Sequence, residues 1–120
     1  MTLRRKAQGR KGEDEAARYL AGLGYRLVAR NYRCLYGEVD IIARDGRTLV
    51  FVEVRSRTTN NYGLPQESVG SQKRTRLRRV ACCYLAAGIG HRGPVRFDVL
   101  AIKYGADGRV ESLAHIKNAF

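Results

Sequence analysis

The chain has 120 residues, 44% hydrophobic and 28% charged, a globular balance that excludes a disordered or fibrous chain and allows a core without disulfide staples. Lys plus Arg number 23 against 11 acids, a net charge of +12, which directs a folded domain toward a polyanion: nucleic acid first, an anionic membrane surface second. No apolar stretch approaches the ~18 residues of a membrane span, and the basic opening "MTLRRKAQGRKGEDEAARYL" has no apolar h-region or signal-type cleavage site, so no membrane association and a cytoplasmic location are expected.

No repeat, low-complexity run or long linker divides the chain, and one domain over residues 1–120 is expected. A helix fits from about Arg5 to Leu23, with Gly24 where a left-handed cap would stand. Its Glu13, Ala16, Ala17 and Leu20 share a face. Strands follow in "YRLVARNYR", "GEVDIIA" and "TLVFVEV", the last two joined through "RDGR", whose Asp-Gly signals a hairpin. "YGLPQESVGS" reads as a loop, and a second helix runs from about Ser71 to Ala87. "VRFDVLAI" and "VESLAHI" are late strands about a "GADG" turn. The fold class is α/β, a mixed sheet flanked by helices in the order αβββαββ. Cys34, Cys82 and Cys83 are odd in number, form no CxxC and lie far from His91 and His115, so reduced packing cysteines are expected rather than a zinc site.

Acids stand where strands should be apolar. Alternation gives "GEVDIIA" one face with Glu38, Asp40 and Ile42 and another with Val39, Ile41 and Ala43. If Asp45-Gly46 is a two-residue turn, Glu53 lies opposite Glu38 and Phe51 opposite Asp40, so Asp40 and Glu53 become diagonal neighbours. Val39, Ile41, Ala43, Val50, Val52 and Val54 then form the main core face. Crowded carboxylates raise one another's pKa unless a cation neutralises them. Either this is a solvated face with Arg55 as salt-bridge partner, or it is a site for Mg²⁺ or Mn²⁺ built from hard oxygen ligands. A metal there could polarise a phosphodiester and acidify an attacking water. Glu13 on its core-facing stripe is either a first-turn acid favoured by the helix dipole or a further member of the site. Lys73, spaced with Leu77, Ala81 and Tyr84, either snorkels or points inward along the sheet. Arg74, Arg76, Arg78 and Arg79 cover the remaining faces of that helix. Arg74 and Arg76, with Arg57 on the third strand, are the expected nucleic-acid contacts.

Val39-Asp40 on one strand and Glu53-Val54-Arg55 on the next, flanked by helices, resemble the PD-(D/E)xK nuclease superfamily. More closely, "GRKGEDEAARYL", "GYRLVARNYR", "GEVDIIARDG", "LVFVEVRSR", "SVGSQKRTRLRRVACCYL", "RFDVLAI" and "HIKNAF" resemble the YraN family of bacterial proteins. These are predicted nuclease-like proteins related in fold to Holliday-junction resolvases and restriction endonucleases. The resemblance implies a restriction-endonuclease-like fold and a metal-dependent DNA endonuclease. It makes Asp40 and Glu53 metal ligands, the Val54 carbonyl a third and Glu13 the helical glutamate that completes the site, with Glu38 in the family's Gly-Glu-x-Asp motif. Arg55 replaces the usual lysine; arginine cannot act as a base near neutrality but can hold water or stabilise phosphorane charge. Lys73 could supply the lysine from the helix. A homodimer is implied by the resolvase likeness and by the symmetry of cutting two strands. Three functions stay open: the nuclease, a DNA-binding module with a degenerate metal site, and an interaction subunit with a basic docking surface.

Overall fold

Segments with strand periodicity give β1 (Arg26–Cys34), β2 (Gly37–Asp45), β3 (Thr48–Thr58), β4 (Val95–Tyr104) and β5 (Val110–Ile116). Helix α1 (Leu3–Gly22) precedes them, and α2 (Ser71–Ala86) lies between β3 and β4. The computed structural model describes residues 3–58 and 70–120, with side chains from Lys11 onward. The expected loop "YGLPQESVGS" therefore lies outside the described residues except for Gly70 and Ser71. The strands form one sheet of order β1-β2-β3-β4-β5. β3 and β4 are parallel, a pairing that needs a crossover, and α2 lies in that connection; the other neighbours are antiparallel. The chain is an α/β domain in the order αβββαββ, with a restriction-endonuclease-like fold. No described helix is long and apolar enough to cross a membrane.

α1 ends as its glycine predicts. Gly24 has φ 91°, its N–H donates to Ala21 O, and the Tyr25 N–H donates to Leu20 O. These two bonds make a Schellman cap. Leu20 and Tyr25 then enter the same core.

Both sheet faces are buried, where the sequence suggests one main core face. Ala16, Ala17 and Leu20 of α1 pack on Ile41, Ala43, Val50, Val52, Leu100 and Ile102. Leu77, Val80 and Ala81 of α2 pack on Val39, Ile42, Leu49 and Phe51. Val39 is thus on the α2 side, not with Ile41. Two residues apart on a regular strand must share a face, so the alternation of β2 breaks at Asp40. The β1–β2 ladder skips the facing pair as well, passing from Arg30↔Ile41 to Tyr32↔Val39, and the skipped Asn31 has φ 53°.

The β2–β3 register also departs from expectation. Asp45 pairs with Thr48, so the turn centres on Gly46-Arg47, and Ile42 rather than Asp40 faces Phe51. Gly46 has φ 59° and Arg47 is not left-handed, the pattern of a type II′ hairpin. The sequence places the turn one residue early because Asp-Gly favours a type I′ turn on both residues.

Candidate active site

The β2–β3 ladder is regular up to Ile41↔Val52 and goes no further. Beyond that pair the strands have no ladder partners for each other, and Asp40 reaches across the gap to accept the Val54 N–H at 2.8 Å through Oδ2. Glu53 is on the α2 side of β3, where Lys73 Nζ lies 2.7 Å from its Oε1. Glu53 Oε2 is buried and has no hydrogen-bond partner among the described residues. Lys73 therefore does point inward along the sheet, as its helical spacing allows.

Burial is the main force on Asp40, and the Glu53 charge adds to it; the Val54 N–H opposes both, while Glu13 and Glu38 push the same way as Glu53. The net result lifts the Asp40 carboxyl to about 7. Glu13 comes from α1 on the other side of the sheet. Gly12 lets the helix approach closely, since a Cβ there would stand 3.2 Å from the Ser56 side chain. Burial, the main influence, raises the Glu13 pKa despite the opposing Arg30 charge. With its amide turned to donate, Asn31 lies 2.6 Å from Glu13 Oε1 and 3.1 Å from Glu38 Oε1. Arg33 Nε holds Glu38 Oε2 at 2.7 Å, and Arg30 holds Asp14 at 2.7 Å. Asn31 was not legible as part of the site. The only sequence signal is that Asn adopts the left-handed region more readily than most residues.

Arg55 is half-buried on β3, two residues past Glu53 and on the same sheet face by alternation; Arg57 follows with the same period. Arg74 and Arg76 are on α2, and the Arg76 side chain runs against Gly37 at the start of β2. Val54 contributes its N–H to Asp40 and its side chain to the α1 core. Among the described residues, no three His, Cys, Asp or Glu side chains form a ready-made metal-binding group. What the fold brings together is narrower: Asp40 and Glu53 as electrostatic neighbours, Lys73 on Glu53, and Glu13 and Glu38 tied through Asn31. Of the cysteines, Cys34 packs against the α2 core, whereas Cys82 is exposed rather than packed.

A second polar cluster went unrecognised in the sequence. Asp98 is 1% exposed on β4. It accepts from Arg96 at 2.8 and 3.0 Å and from the Asn118 N–H at 3.0 Å, and His115 Nε2 lies 2.7 Å away. Arg96 also reaches Asp45 at 3.1 Å and the Tyr25 hydroxyl at 2.7 Å. Burial pushes the Asp98 pKa up, but the Arg96, Asn118 and His115 bonds outweigh it, and the carboxyl sits below its ordinary value. This cluster fastens the C-terminal residues to the sheet: Ala119 N–H donates to Phe97 O, and Phe120 stacks on Phe97 at 5.0 Å. A lone Asp inside "RFDVLAI" was the available signal.

A restriction-endonuclease-like α/β domain with carboxylates gathered where β2 and β3 part is the class that the fold and this geometry define. The chain belongs to the family described as "Uncharacterised protein family UPF0102", matched over residues 12–102, which is the family also called YraN. Similar relatives include the "UPF0102 protein" of Pelotomaculum thermopropionicum, 48% identical over 97% of each chain. That of Moorella thermoacetica is 48% identical over 100% of each, and that of Desulforamulus reducens 46% over 99% of each.

Proposed function

We propose that the protein is a Mg²⁺- or Mn²⁺-dependent endonuclease that hydrolyses phosphodiester bonds in DNA, with branched or damaged DNA as its substrate class. The observation that carries this reading is the pair Asp40 and Glu53: one carboxyl raised to about 7 by burial and its neighbour, the other with a buried oxygen that lacks a partner among the described residues. A divalent cation bound between them would favour the ionised form of the one and give the other a partner. The oxygen donors suit a hard divalent ion. Asp40, Glu53 and the Val54 carbonyl would hold it, with Glu13 and Glu38 behind them. When bound, the ion would polarise the phosphoryl group and lower the pKa of water.

The chain's own residues supply the rest. Lys73, at 2.7 Å from Glu53, is placed to orient a water beside that carboxylate. Arg55 stabilises charge on the phosphate. Arg57, Arg74 and Arg76 hold the backbone on either side. A homodimer would present two such sites to two strands, in the cytoplasm where its substrate lies.

The Lys73–Glu53 ion pair favours a second reading, because it already neutralises one carboxylate. With Arg55 in the usual lysine position, the protein would then be a DNA-binding module without cleavage. A cleavage assay over duplex, nicked, flap and four-way DNA with Mg²⁺ and Mn²⁺ separates the two. The nuclease predicts metal-dependent products that Asp40→Asn and Glu53→Gln abolish while DNA binding persists. Binding without cleavage of any substrate selects the second reading.

A further inference from the structure

The tip of the β1–β2 hairpin is not used by the carboxylate site. Leu35 there is 91% exposed and Tyr36 47%. Tyr36 is one wall of a depression of about 350 Å³ whose other walls are Gln72, Thr75, Arg76 and Arg79 of α2. A second depression, of about 610 Å³, shares Tyr36 and Arg79. The Arg79 guanidinium lies 5.9 Å from the Tyr36 ring centroid. Among the described residues, neither hollow has a carboxylate in its lining, and Arg76 and Arg79 have no acidic partner.

We infer that this hairpin tip and the exposed side of α2 form a binding site for an unpaired nucleotide of DNA. The inference rests on the nucleic-acid half of the proposed function and deepens it by naming the substrate feature recognised. The base stacks on Tyr36, whose ring offers a π-face to any base. Arg76 and Arg79 take the flanking phosphates, and Gln72 and Thr75 offer hydrogen bonds to the base edge. Leu35 stands beside them as an apolar wedge against the adjoining base pair, a role such side chains play where a step is unstacked.

Position supports this. Arg76 follows Lys73 by one helical turn, and Lys73 is on Glu53. Gly37, against which Arg76 packs, is three residues from Asp40, roughly 10 Å at the rise of a strand. An unpaired nucleotide in this hollow would lie a few nucleotides from the carboxylates. The charge argues against a second copy as the occupant, since two such surfaces would bring Arg76 and Arg79 against their own kind.

The test measures binding by the full chain in EDTA, with a blunt duplex and with the same duplex carrying a short flap that contains 2-aminopurine. Wild type is expected to prefer the flap and to quench the 2-aminopurine. Tyr36→Ala should lose on the order of tenfold in flap affinity, about 1.4 kcal/mol, together with the quenching, and keep its affinity for the blunt duplex. Tyr36→Phe should retain both. Arg79→Gln should weaken flap binding and flatten its salt dependence. Equal weakening on both DNAs, quenching that survives Tyr36→Ala, or a change of mass by light scattering in that variant would overturn the inference. No step needs metal, so quenching in EDTA by a protein that cuts none of the DNAs when Mg²⁺ or Mn²⁺ is supplied would defeat the nuclease alone. Cleavage by a protein whose flap binding ignores Tyr36 would defeat this site alone.

Discussion

Ionising Asp40 places a negative charge beside Glu53 in a buried setting, with Glu13 and Glu38 close enough to oppose it. Its folded-state pKa of about 7 lies above the ordinary Asp value near 3.9. Below about pH 4 the group is protonated in both states and does nothing to stability. As pH rises toward 7 the unfolded chain releases the proton and the folded chain keeps it, so stability falls; above 7 the penalty is complete. Asp40→Asn, which can still accept the Val54 N–H, should therefore raise the melting temperature at pH 8 by several degrees and leave it unchanged at pH 4. Thermal scans at the two pH values check this. Arg55 is the residue whose chemistry departs from the nuclease pattern. Arg55→Lys should keep or raise cleavage, whereas Arg55→Ala should lower it by on the order of 10²-fold, as for loss of one electrostatic contact to the transition state. Single-turnover rates distinguish these outcomes.

At the scale of elements, the site depends on how closely α1 lies on β3. A side chain added at Gly12 meets Ser56. Gly12→Val should lift the helix, cost about 1–3 kcal/mol as overpacking does, and displace Glu13; a lowered urea midpoint reads the cost. The C-terminal clasp should behave differently. Removing one partner of a buried charge pair costs about 3–5 kcal/mol, and Asp98→Ala should approach that range in denaturant unfolding. Because the Asp98 pKa is lowered in the fold, its contribution is present above the ordinary Asp value and lost as pH falls through the folded value. The elements themselves were legible, because period-two alternation and Ala16-Ala17-Leu20 spacing are local signals. The break at Asp40 was not. It coincides with Asn31 in the left-handed region on the neighbouring strand, where the β1–β2 ladder omits the facing pair, a pairing effect that alternation within β2 cannot register. The Asp98 cluster was hidden for a related reason: Tyr25 joins Arg96 from 71 positions away.

For the whole molecule, the charge of +12 sets the terms of any encounter with a polyanion. Binding to DNA should weaken steeply with salt, by about 0.9 in the logarithmic slope for each phosphate contact. Replacing Arg74 and Arg76 with Ala should flatten that slope by roughly two contacts and weaken binding equally across sequences; an unchanged slope would place the DNA elsewhere. Asp40, Glu53, Glu13 and Lys73 could be singled out in the sequence because an acid in an apolar strand, or a charge on a core-facing helical stripe, conflicts with its neighbours. Which of them interact was decided by the register of β2 on β3 and the depth of α2, which local patterns do not contain. Calorimetric titration of the metal-free chain with Mn²⁺ at pH 8 tests the central claim most directly. Saturable binding in the wild type, lost in both Asp40→Asn and Glu53→Gln, is the predicted result. Wild-type binding in both variants, or none in the wild type, would contradict it.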